Sequence, residues 1–373
     1  MAKKEFAQLA HSFGQEVTPE SFERVRGWWA SRKLNGWGCL WDGGVTRGIP
    51  AYKVPWYYLG GDSRLKSYPV STGLWTIGRS DKYGIRPKTI QAPDWFLDLL
   101  PKGVPLQGEI WCDDNLQAVK SICGGSTAEK KSSSEWEKVK FAVYNLKPYC
   151  LWFEEARPTE PHHNYTVADS IVAEGGGYKV NLFWNNNSLA DRLTLASRKV
   201  STPLLCDLNC GDNVYEEVKE TVFILPQLRL ATLDSLYRCI ATVKAKGWEG
   251  VMLANPDAPY ECARSHNLLK IKPEFDAEAE VIGYEDGSTG KNIGKMGAVI
   301  CRMTWGEEVN SVTGGRANMI GQTVQFKVSG WSDAEREWSW IKANYPIGSQ
   351  LQFTYSCVSV HGVPCSCNRV GAR

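Results

Sequence analysis

The sequence predicts an α+β protein of two domains, with mixed strands and helices first and a smaller, mainly β domain at the C-terminus. Three observations support this prediction. The chain has 373 residues, which is too long for one small hydrophobic core. Strand-like and helix-like segments are interspersed up to Lys272, whereas short strand-like runs between glycine-rich turns dominate from Pro273 onwards. We therefore expect domains at residues 1–272 and 273–373.

The first part of the chain contains strand and helix signals in alternation. Apolar runs bounded by turn residues indicate strands, and longer segments bounded by proline indicate helices. In order, the predicted elements are a helix within Pro19–Val25, a strand at Trp37–Trp41, a helix at Ile90–Leu100, a strand at Leu106–Trp111 and a strand at Val139–Leu146.

The segment Pro148–Phe223 is rich in turn signals and yields only one predicted helix, at Leu189–Lys199. Beyond it, apolar residues recur at helical spacing and stop at Gly247, a typical C-terminal signal. These residues are Leu233, Leu236, Ile240 and Val243. A strand is predicted at Gly250–Leu253, with Glu249 at its start.

The C-terminal hundred residues predict a small β-barrel of the OB type, because short strands alternate with glycine-rich turns around one helix. The predicted strands are Ala277–Tyr284, Ala298–Met303, Thr323–Val328 and Gln350–Val360, and the helix is Asp333–Asn344.

Composition narrows the class of protein. The formal net charge is only +2, so a nucleic-acid surface would have to come from local clusters of Lys and Arg. Twelve cysteines lack the paired spacing of a zinc ribbon, and only five histidines could complete such a site. No apolar run is long enough to span a membrane, and Met1–Phe6 is not followed by the apolar segment of a secretory signal. We expect a cytoplasmic protein with free thiols.

One set of charged residues points to phosphoryl or nucleotidyl transfer through a covalent lysine adduct. Lys33 is a candidate nucleophile, since nearby cations and a desolvated pocket would favour its reactive, neutral form. Lys270 and Lys272 lie two apart on a predicted strand, so they would present two cations on one face to phosphate, or form an ordinary solvated face. Glu109 and Glu249 sit within or beside apolar strands, where a metal ion, a ribose hydroxyl or a structural salt bridge would compensate the carboxylate.

Six motifs occur in a fixed order: Lys33–Gly36, Gly78–Ser80, Gly108–Trp111, Phe141–Leu146, Glu249–Leu253 and Leu268–Pro273. This order resembles ATP-dependent DNA ligases, most closely the small two-domain enzymes of bacteria and phages. The resemblance spans about Gly27 to Arg373, except for Pro148–Phe223. It implies a nucleotidyltransferase (adenylation) domain followed by an OB-fold domain, and a role in DNA repair or replication.

The resemblance also implies residue roles. Lys33 would attack the α-phosphate of ATP, with Asn35 beside the bound nucleotide, and Lys270 and Lys272 would contact that phosphate. Tyr144 would stack on adenine, with Phe141 as the alternative, and Arg79 would contact ribose or phosphate. Glu109 would contact the ribose, and Glu109 and Glu249 would help to hold Mg²⁺ or Mn²⁺.

Three positions near the predicted nucleophile depart from the family pattern. Asn35 stands where the family has Asp, Arg32 replaces a common Glu, and Gly38 replaces an Arg. An amide keeps the size and hydrogen-bonding capacity of the carboxylate but loses its charge. These changes bear on the efficiency of self-adenylylation.

The expected function is sealing of nicked duplex DNA by a monomer, through lysyl-AMP and 5′-adenylylated DNA. Candidate DNA contacts in the C-terminal domain are Lys291, Lys295, Arg302, Arg316 and Lys327. Two alternatives remain open from the sequence. An RNA ligase or a capping-type nucleotidyltransferase would share the lysine–nucleotide step, and a non-catalytic nick- or end-binding protein would retain the surface without the chemistry.

Overall fold

The computed structural model describes residues 5–14, 16–51, 54, 56, 70–77, 80–81, 84–85, 87–124, 134–148, 151–152, 188–197, 205–206, 220–288, 290–309, 319–359 and 361–370. The helices are α1 Pro19–Glu23, α2 Asp94–Leu97, α3 Leu116–Cys123, α4 Leu189–Ser197, α5 Leu233–Ala245 and α6 Trp338–Asn344, with 3₁₀ turns at Ser134–Lys138 and Gly290–Asn292. The strands are β1 Leu9–Ser12, β2 Trp29–Lys33, β3 Trp37–Trp41, β4 Leu74–Thr76, β5 Ser80–Asp81, β6 Gly84–Ile85, β7 Leu106–Trp111, β8 Lys140–Asn145, β9 Leu205–Cys206, β10 Val222–Ile224, β11 Gln227–Arg229, β12 Gly250–Ala254, β13 Arg264–Ile271, β14 Phe275–Asp286, β15 Met296–Thr304, β16 Thr323–Val328, β17 Gln350–Tyr355, β18 Cys357–Val358, β19 Pro364–Cys365 and β20 Asn368–Arg369.

The mixture of separate sheets and helices confirms the predicted α+β class. Strands β3, β7 and β16 have the predicted bounds. The helix predicted at Ile90–Leu100 is shorter, since α2 ends at Leu97 and the following amides of Leu99 and Leu100 bond to carbonyls three residues back. Pro101 disfavours helical geometry at Leu100, so the chain leaves the helix through this tighter turn.

Contacts along the chain divide it into two compact units, Met1–Leu236 with Met252–Lys270, and Tyr237–Val251 with Ile271–Arg373. In the first unit, one sheet has the strand order β1-β13-β12-β2-β11-β9 and a second has the order β10-β8-β7-β3-β4. Because β2 and β3 are consecutive in the chain but belong to different sheets, the turn between them, residues 34–36, links the two sheets.

The main core of this unit lies on the second sheet, where apolar side chains of β3, β7 and β8 pack with those of α2 and α3. The amphipathic character of α3 explains its docking, since Val119 and Ile122 are three residues apart on one face and both are buried. Its start is fixed by Asn115, whose side chain accepts a hydrogen bond from the Ala118 amide at 3.0 Å.

The second unit contains a five-stranded sheet of order β16-β15-β14-β17-β20, in which the sequential neighbours β14, β15 and β16 pair antiparallel. Strand β16 alternates strictly between exposed and buried side chains, as expected for a strand with one face on a core. That core includes Val281, Val299, Phe353 and the buried helix residue Ile341. The predicted long strand Gln350–Val360 is interrupted, since β17 ends at Tyr355 and Cys357–Val358 pair instead with β19.

Among the residues that the structure describes, no helix has the length and apolar character needed to cross a membrane.

Candidate active site

Lys33 ends β2, and the turn after it is held tightly against the neighbouring sheet. Leu34 is buried in a small apolar cluster with Ala142, Phe223 and Leu225. At Gly36 the backbone comes so close to β7 that a Cβ atom would lie 2.3 Å from the Ile110 carbonyl oxygen and 2.8 Å from Cγ of Glu109. Only glycine permits this approach, so Gly36 fixes the distance between the Lys33 turn and the strand that carries Glu109.

A cavity of about 450 Å³ opens beside this turn within the first unit. It brings together four of the residues predicted for the site, Lys33 from β2, Glu109 from β7, Tyr144 from β8 and Lys270 from β13. Its volume lies in the ordinary range of small-molecule pockets. Residues that are separated by more than two hundred positions in the chain therefore share one lining.

Tyr144 and Phe141 were the two candidates for stacking on a base, and they occupy different places. Tyr144 is partly buried and lines the cavity, whereas Phe141 is fully buried in the core of the first unit. Burial raises the pKa of the Tyr144 phenol well above its ordinary value, and the nearby Glu109 carboxylate raises that pKa further. The ring is therefore neutral throughout the physiological range. This placement favours Tyr144 for stacking; the role itself stays a prediction.

The charges around the cavity are strongly unequal. Glu109 is the one carboxylate among the described lining residues, against five cationic side chains, which are Arg32, Lys33, Arg192, Arg264 and Lys270. Arg32 is already compensated by an ion pair with Asp114. The other cations still outnumber the single carboxylate, and such a lining favours an anionic ligand.

Arg192 was not predicted from the sequence, because α4 lies in the segment without recognisable motifs. Its side chain is buried, its Nε donates to Asn145 Oδ1 at 3.0 Å, and burial lowers its pKa to about 10. The start of α4 is held by the Leu189 amide, which donates to the Ala258 carbonyl at 3.0 Å. The only sequence signal for this wall of the cavity was the helical spacing around residues 189–199.

Glu249 and Lys272 meet in the second unit as an ion pair, with 3.0 Å between Oε1 of Glu249 and Nζ of Lys272. The carboxylate is largely buried, as the salt-bridge interpretation of this glutamate anticipated. The prediction that Lys270 and Lys272 share one strand was wrong. Strand β13 ends at Ile271, because Pro273 supplies no amide and restricts the residue before it. Lys270 belongs to the first unit and Lys272 to the second.

Asn35 is directed at Asp114, in the turn that follows β7, and is not part of the cavity lining. Its side-chain amide donates to the Asp114 carbonyl oxygen at 3.0 Å, and its backbone amide donates to Asp114 Oδ1 at 3.4 Å. Neither Asp114 nor this contact was predicted from the sequence. Arg79 lies outside the described residues, so its predicted contact with ribose or phosphate is not placed.

The candidate DNA-contacting cations of the second unit take part in surface ion pairs. The pairs are Lys291–Asp333, Lys295–Glu337, Arg302–Glu280 and Lys327–Glu285. Exposed pairs of this kind contribute little to stability and exchange readily for other partners. Their predicted role stays a prediction, and Arg316 lies outside the described residues.

The described residues contain no cluster of three or more His, Cys, Asp or Glu side chains able to hold a metal ion. Mg²⁺ does not require such a cage, since it is commonly held by one or two carboxylates together with substrate phosphates and water. Glu109 in a phosphate-attracting cavity fits that mode of binding. Zinc, which takes four protein ligands in structural sites, does not fit it.

The chain is similar to DNA ligases over part of its length. No protein-family model matches the chain. The DNA ligase of Haemophilus influenzae is 32% identical over 142 residues, which cover 38% of this chain and 44% of that protein. The DNA ligase of African swine fever virus is 28% identical over 125 residues, which cover 32% of this chain and 27% of that protein. The matches thus cover less than half the length of these relatives.

A solved Lig E DNA ligase superposes with a TM-score of 0.59 at 22% sequence identity, covering 98% of both chains. The resemblance to DNA ligases is confirmed. The structural likeness also confirms the predicted fold class, an α+β fold with a C-terminal domain of the OB type. The motifs that predicted this resemblance include Lys33, Glu109, Tyr144 and Lys270, all of which line the cavity.

Proposed function

We propose that the chain is an ATP-dependent DNA ligase that seals nicks in duplex DNA. The observation that supports this most strongly is the position of Lys33 in a cavity whose described lining has five cations and one carboxylate. A nucleophilic amine among cations is suited to attack on a phosphate ester or anhydride. The sequence similarity to DNA ligases supplies the substrate class.

In the first step the neutral Nζ of Lys33 attacks the α-phosphorus of ATP. The P–N bond forms, the α–β phosphoanhydride bond breaks, pyrophosphate leaves with the bonding electron pair, and the amine loses a proton. Lys270 contacts the α-phosphate and offsets the charge that develops on its oxygens. Tyr144 stacks on the adenine ring, and the closely held turn at Gly36 keeps the amine in line with the phosphate.

Glu109 would hold Mg²⁺ together with the phosphate oxygens of ATP, and Glu249 would contribute to metal binding as the resemblance implies. When bound, the ion stabilises negative charge on the transferring phosphate and the pyrophosphate leaving group. The ion pair between Glu249 and Lys272 keeps both side chains in place in the second unit.

In the later steps a 5′-phosphate oxygen of the nick attacks the phosphorus of lysyl-AMP and releases the amine. The 3′-hydroxyl then attacks the 5′-phosphorus, and AMP leaves as the phosphodiester bond forms. In this proposal the adenylation domain is residues 1–272 and the OB-fold domain is residues 273–373, as the sequence predicts, whereas the second compact unit also includes Tyr237–Val251 and Ile271–Lys272. The protein acts as a monomer on nicked duplex DNA, and binding weakens steeply with salt because most contacts are to phosphates.

The test begins with transfer of label from α-labelled ATP to the protein in the presence of Mg²⁺, with Lys33→Ala beside the parent. We expect label on the parent that survives alkali and is released by acid, as a phosphoramidate bond requires, and no label on Lys33→Ala. The parent should also join a nicked DNA duplex, and Lys33→Ala should not. Lys244→Ala, which changes an exposed lysine of α5, is the matched control.

The alternatives predict different outcomes of the same experiment. Label from GTP but not ATP would indicate a capping-type enzyme, and joining of nicked RNA but not DNA would indicate an RNA ligase. Binding of nicked DNA without uptake of either nucleotide would indicate a non-catalytic binding protein. Retention of label by Lys33→Ala would refute the assignment of the nucleophile.

A further inference from the structure

Asp114 anchors the turn that carries Lys33, although it lies about eighty positions away in the chain. Its carboxylate forms an ion pair with Arg32, the residue immediately before Lys33, and it accepts a hydrogen bond from the Trp111 indole at 2.8 Å. Only 7% of the Asp114 side chain and 13% of the Arg32 side chain are exposed. Removing one partner of a charge pair with so little exposure is costly, because the other charge is left buried and uncompensated.

Asn35 completes the attachment on the other side of Lys33. Its backbone amide donates to Asp114 Oδ1 at 3.4 Å, and its side-chain amide donates to the Asp114 carbonyl oxygen at 3.0 Å. Asp114 therefore holds the residue before Lys33 and the residue two after it. Three donors, from Arg32, Trp111 and Asn35, converge on one carboxylate.

The same contacts account for asparagine at position 35. A carboxylate there would set an acceptor oxygen about 3 Å from the Asp114 carbonyl oxygen and bring a second negative charge beside the Asp114 carboxylate. An amide avoids both conflicts because it can donate. The backbone of Asp114 also requires a special residue, since its φ of 57° is left-handed, a region that Asp and Asn enter more readily than most residues.

We infer that Asp114 is a positioning residue for the nucleophile. The carboxylate that the ligase family carries at the position of Asn35 is supplied here by Asp114, with Arg32 as its counter-ion. This inference rests on the proposed function and adds a residue to it. Asp114 does not line the cavity, so it acts through the turn and does not touch ATP.

The main test uses Asp114→Asn, which retains the left-handed backbone and an acceptor oxygen but removes the charge facing Arg32. Asp113→Asn is the matched control, because Asp113 is adjacent, exposed and also left-handed, with a φ of 44°. We expect single-turnover adenylylation at saturating ATP to fall about tenfold to a hundredfold in Asp114→Asn. The ATP concentration at half-maximal rate should stay within about threefold, because the cavity is unchanged.

Asn35→Asp and the double variant Asn35→Asp/Asp114→Asn test the relocation of the carboxylate. Asn35→Asp alone should lose about tenfold or more in adenylylation, because an acceptor then faces an acceptor and two carboxylates are juxtaposed. The double variant restores a single carboxylate, so its loss should be clearly smaller than the product of the two single losses. Multiplicative losses would mean that the two positions act independently, and the inference would be wrong.

A readout without nucleotide separates this inference from the proposed function. Hydrogen exchange of the amides in residues 33–36 should speed up in Asp114→Asn and stay unchanged in Asp113→Asn, with exchange in α5 unaffected in both. A parent that takes up no label would refute the proposed function, while faster exchange in Asp114→Asn would still support Asp114 as the anchor. A labelled parent whose Asp114→Asn variant matches it in rate and in exchange would refute the inference alone.

Discussion

Gly36→Ala tests whether the closeness of the Lys33 turn to β7 is needed for chemistry. A Cβ atom at this position would lie 2.3 Å from the Ile110 carbonyl oxygen, which is backbone of a central strand and cannot rotate away. The turn must therefore move by about 1 Å to reach ordinary contact distance. The movement carries Lys33 away from the strand that holds Glu109.

The size of the effect follows from this displacement. A misplacement of about 1 Å in a reacting group costs on the order of a hundredfold in rate, or roughly 2.7 kcal/mol of activation free energy. Overpacking against β7 should also lower the free energy of unfolding by about 1–3 kcal/mol. A protein with an ordinary stability of about 5–15 kcal/mol stays folded after such a loss at room temperature, so activity can be measured on folded material.

The assay is the single-turnover rate of label transfer from ATP to Lys33, with ATP binding and urea unfolding measured on the same samples. Gly38→Ala should have a smaller effect than Gly36→Ala. A Cβ atom at position 38 would lie 2.4 Å from the terminal methyl of Ile77, and that methyl can rotate aside. Gly283→Ala, where the nearest atom is 3.8 Å away, should change neither rate nor stability. A Gly36→Ala rate within about threefold of the parent would refute the idea that this approach positions the amine.

Three further predictions concern the cavity and the core. Glu109→Gln should slow adenylylation by about a hundredfold and raise the Mg²⁺ concentration needed for half-maximal rate, and an unchanged Mg²⁺ titration would remove Glu109 from metal binding. Tyr144→Ala should weaken ATP binding by about 1–3 kcal/mol while Tyr144→Phe changes it little, whereas Phe141→Leu should lower the unfolding temperature and leave ATP affinity alone. Burial raises the pKa of Asp42 to about 6. Because the unfolded carboxyl ionises near pH ~4, the unfolding free energy should fall by up to about 3 kcal/mol as pH rises from about 4 to 6 and then stay level. Asp42→Asn should lack that slope in urea titrations at each pH.

The sequence predicted the parts of the site that depend on local patterns. Strand β3 has the predicted bounds because Trp37–Trp41 is an apolar run followed by the turn residues Asp42–Gly44. Strand β7 also has its predicted bounds, although it mixes apolar residues with Gln107 and Glu109. Glu109 could be placed on a strand, and Tyr144 could be placed on the next strand, from alternation alone. The order of motifs shared with the ligase family then led us to expect both residues in one site, and both line the same cavity.

Other features depend on tertiary contacts that no local pattern reports. Arg192 reaches the cavity from a segment without a recognisable motif, held there by Asn145 and the loop around Ala258. The separation of Lys270 from Lys272 depends on where β13 ends, which Pro273 decides through backbone restriction and not through side-chain periodicity.

The contacts around Lys33 explain why the three departures from the family pattern occur together. An arginine at position 38 would need space that the Ile77 side chain occupies, so the glycine suits the packing found there. The cavity that Gly38 lines nevertheless contains a cation nearby in the chain, because Arg32 lines the same cavity. Arginine at position 32 needs a nearby carboxylate to balance its buried charge. Asp114, in the turn that follows β7, supplies that carboxylate. Given Asp114, position 35 must donate and not accept, which asparagine does. Each substitution thus creates the requirement that the next one meets, so restoring the family residue at a single position should lower activity.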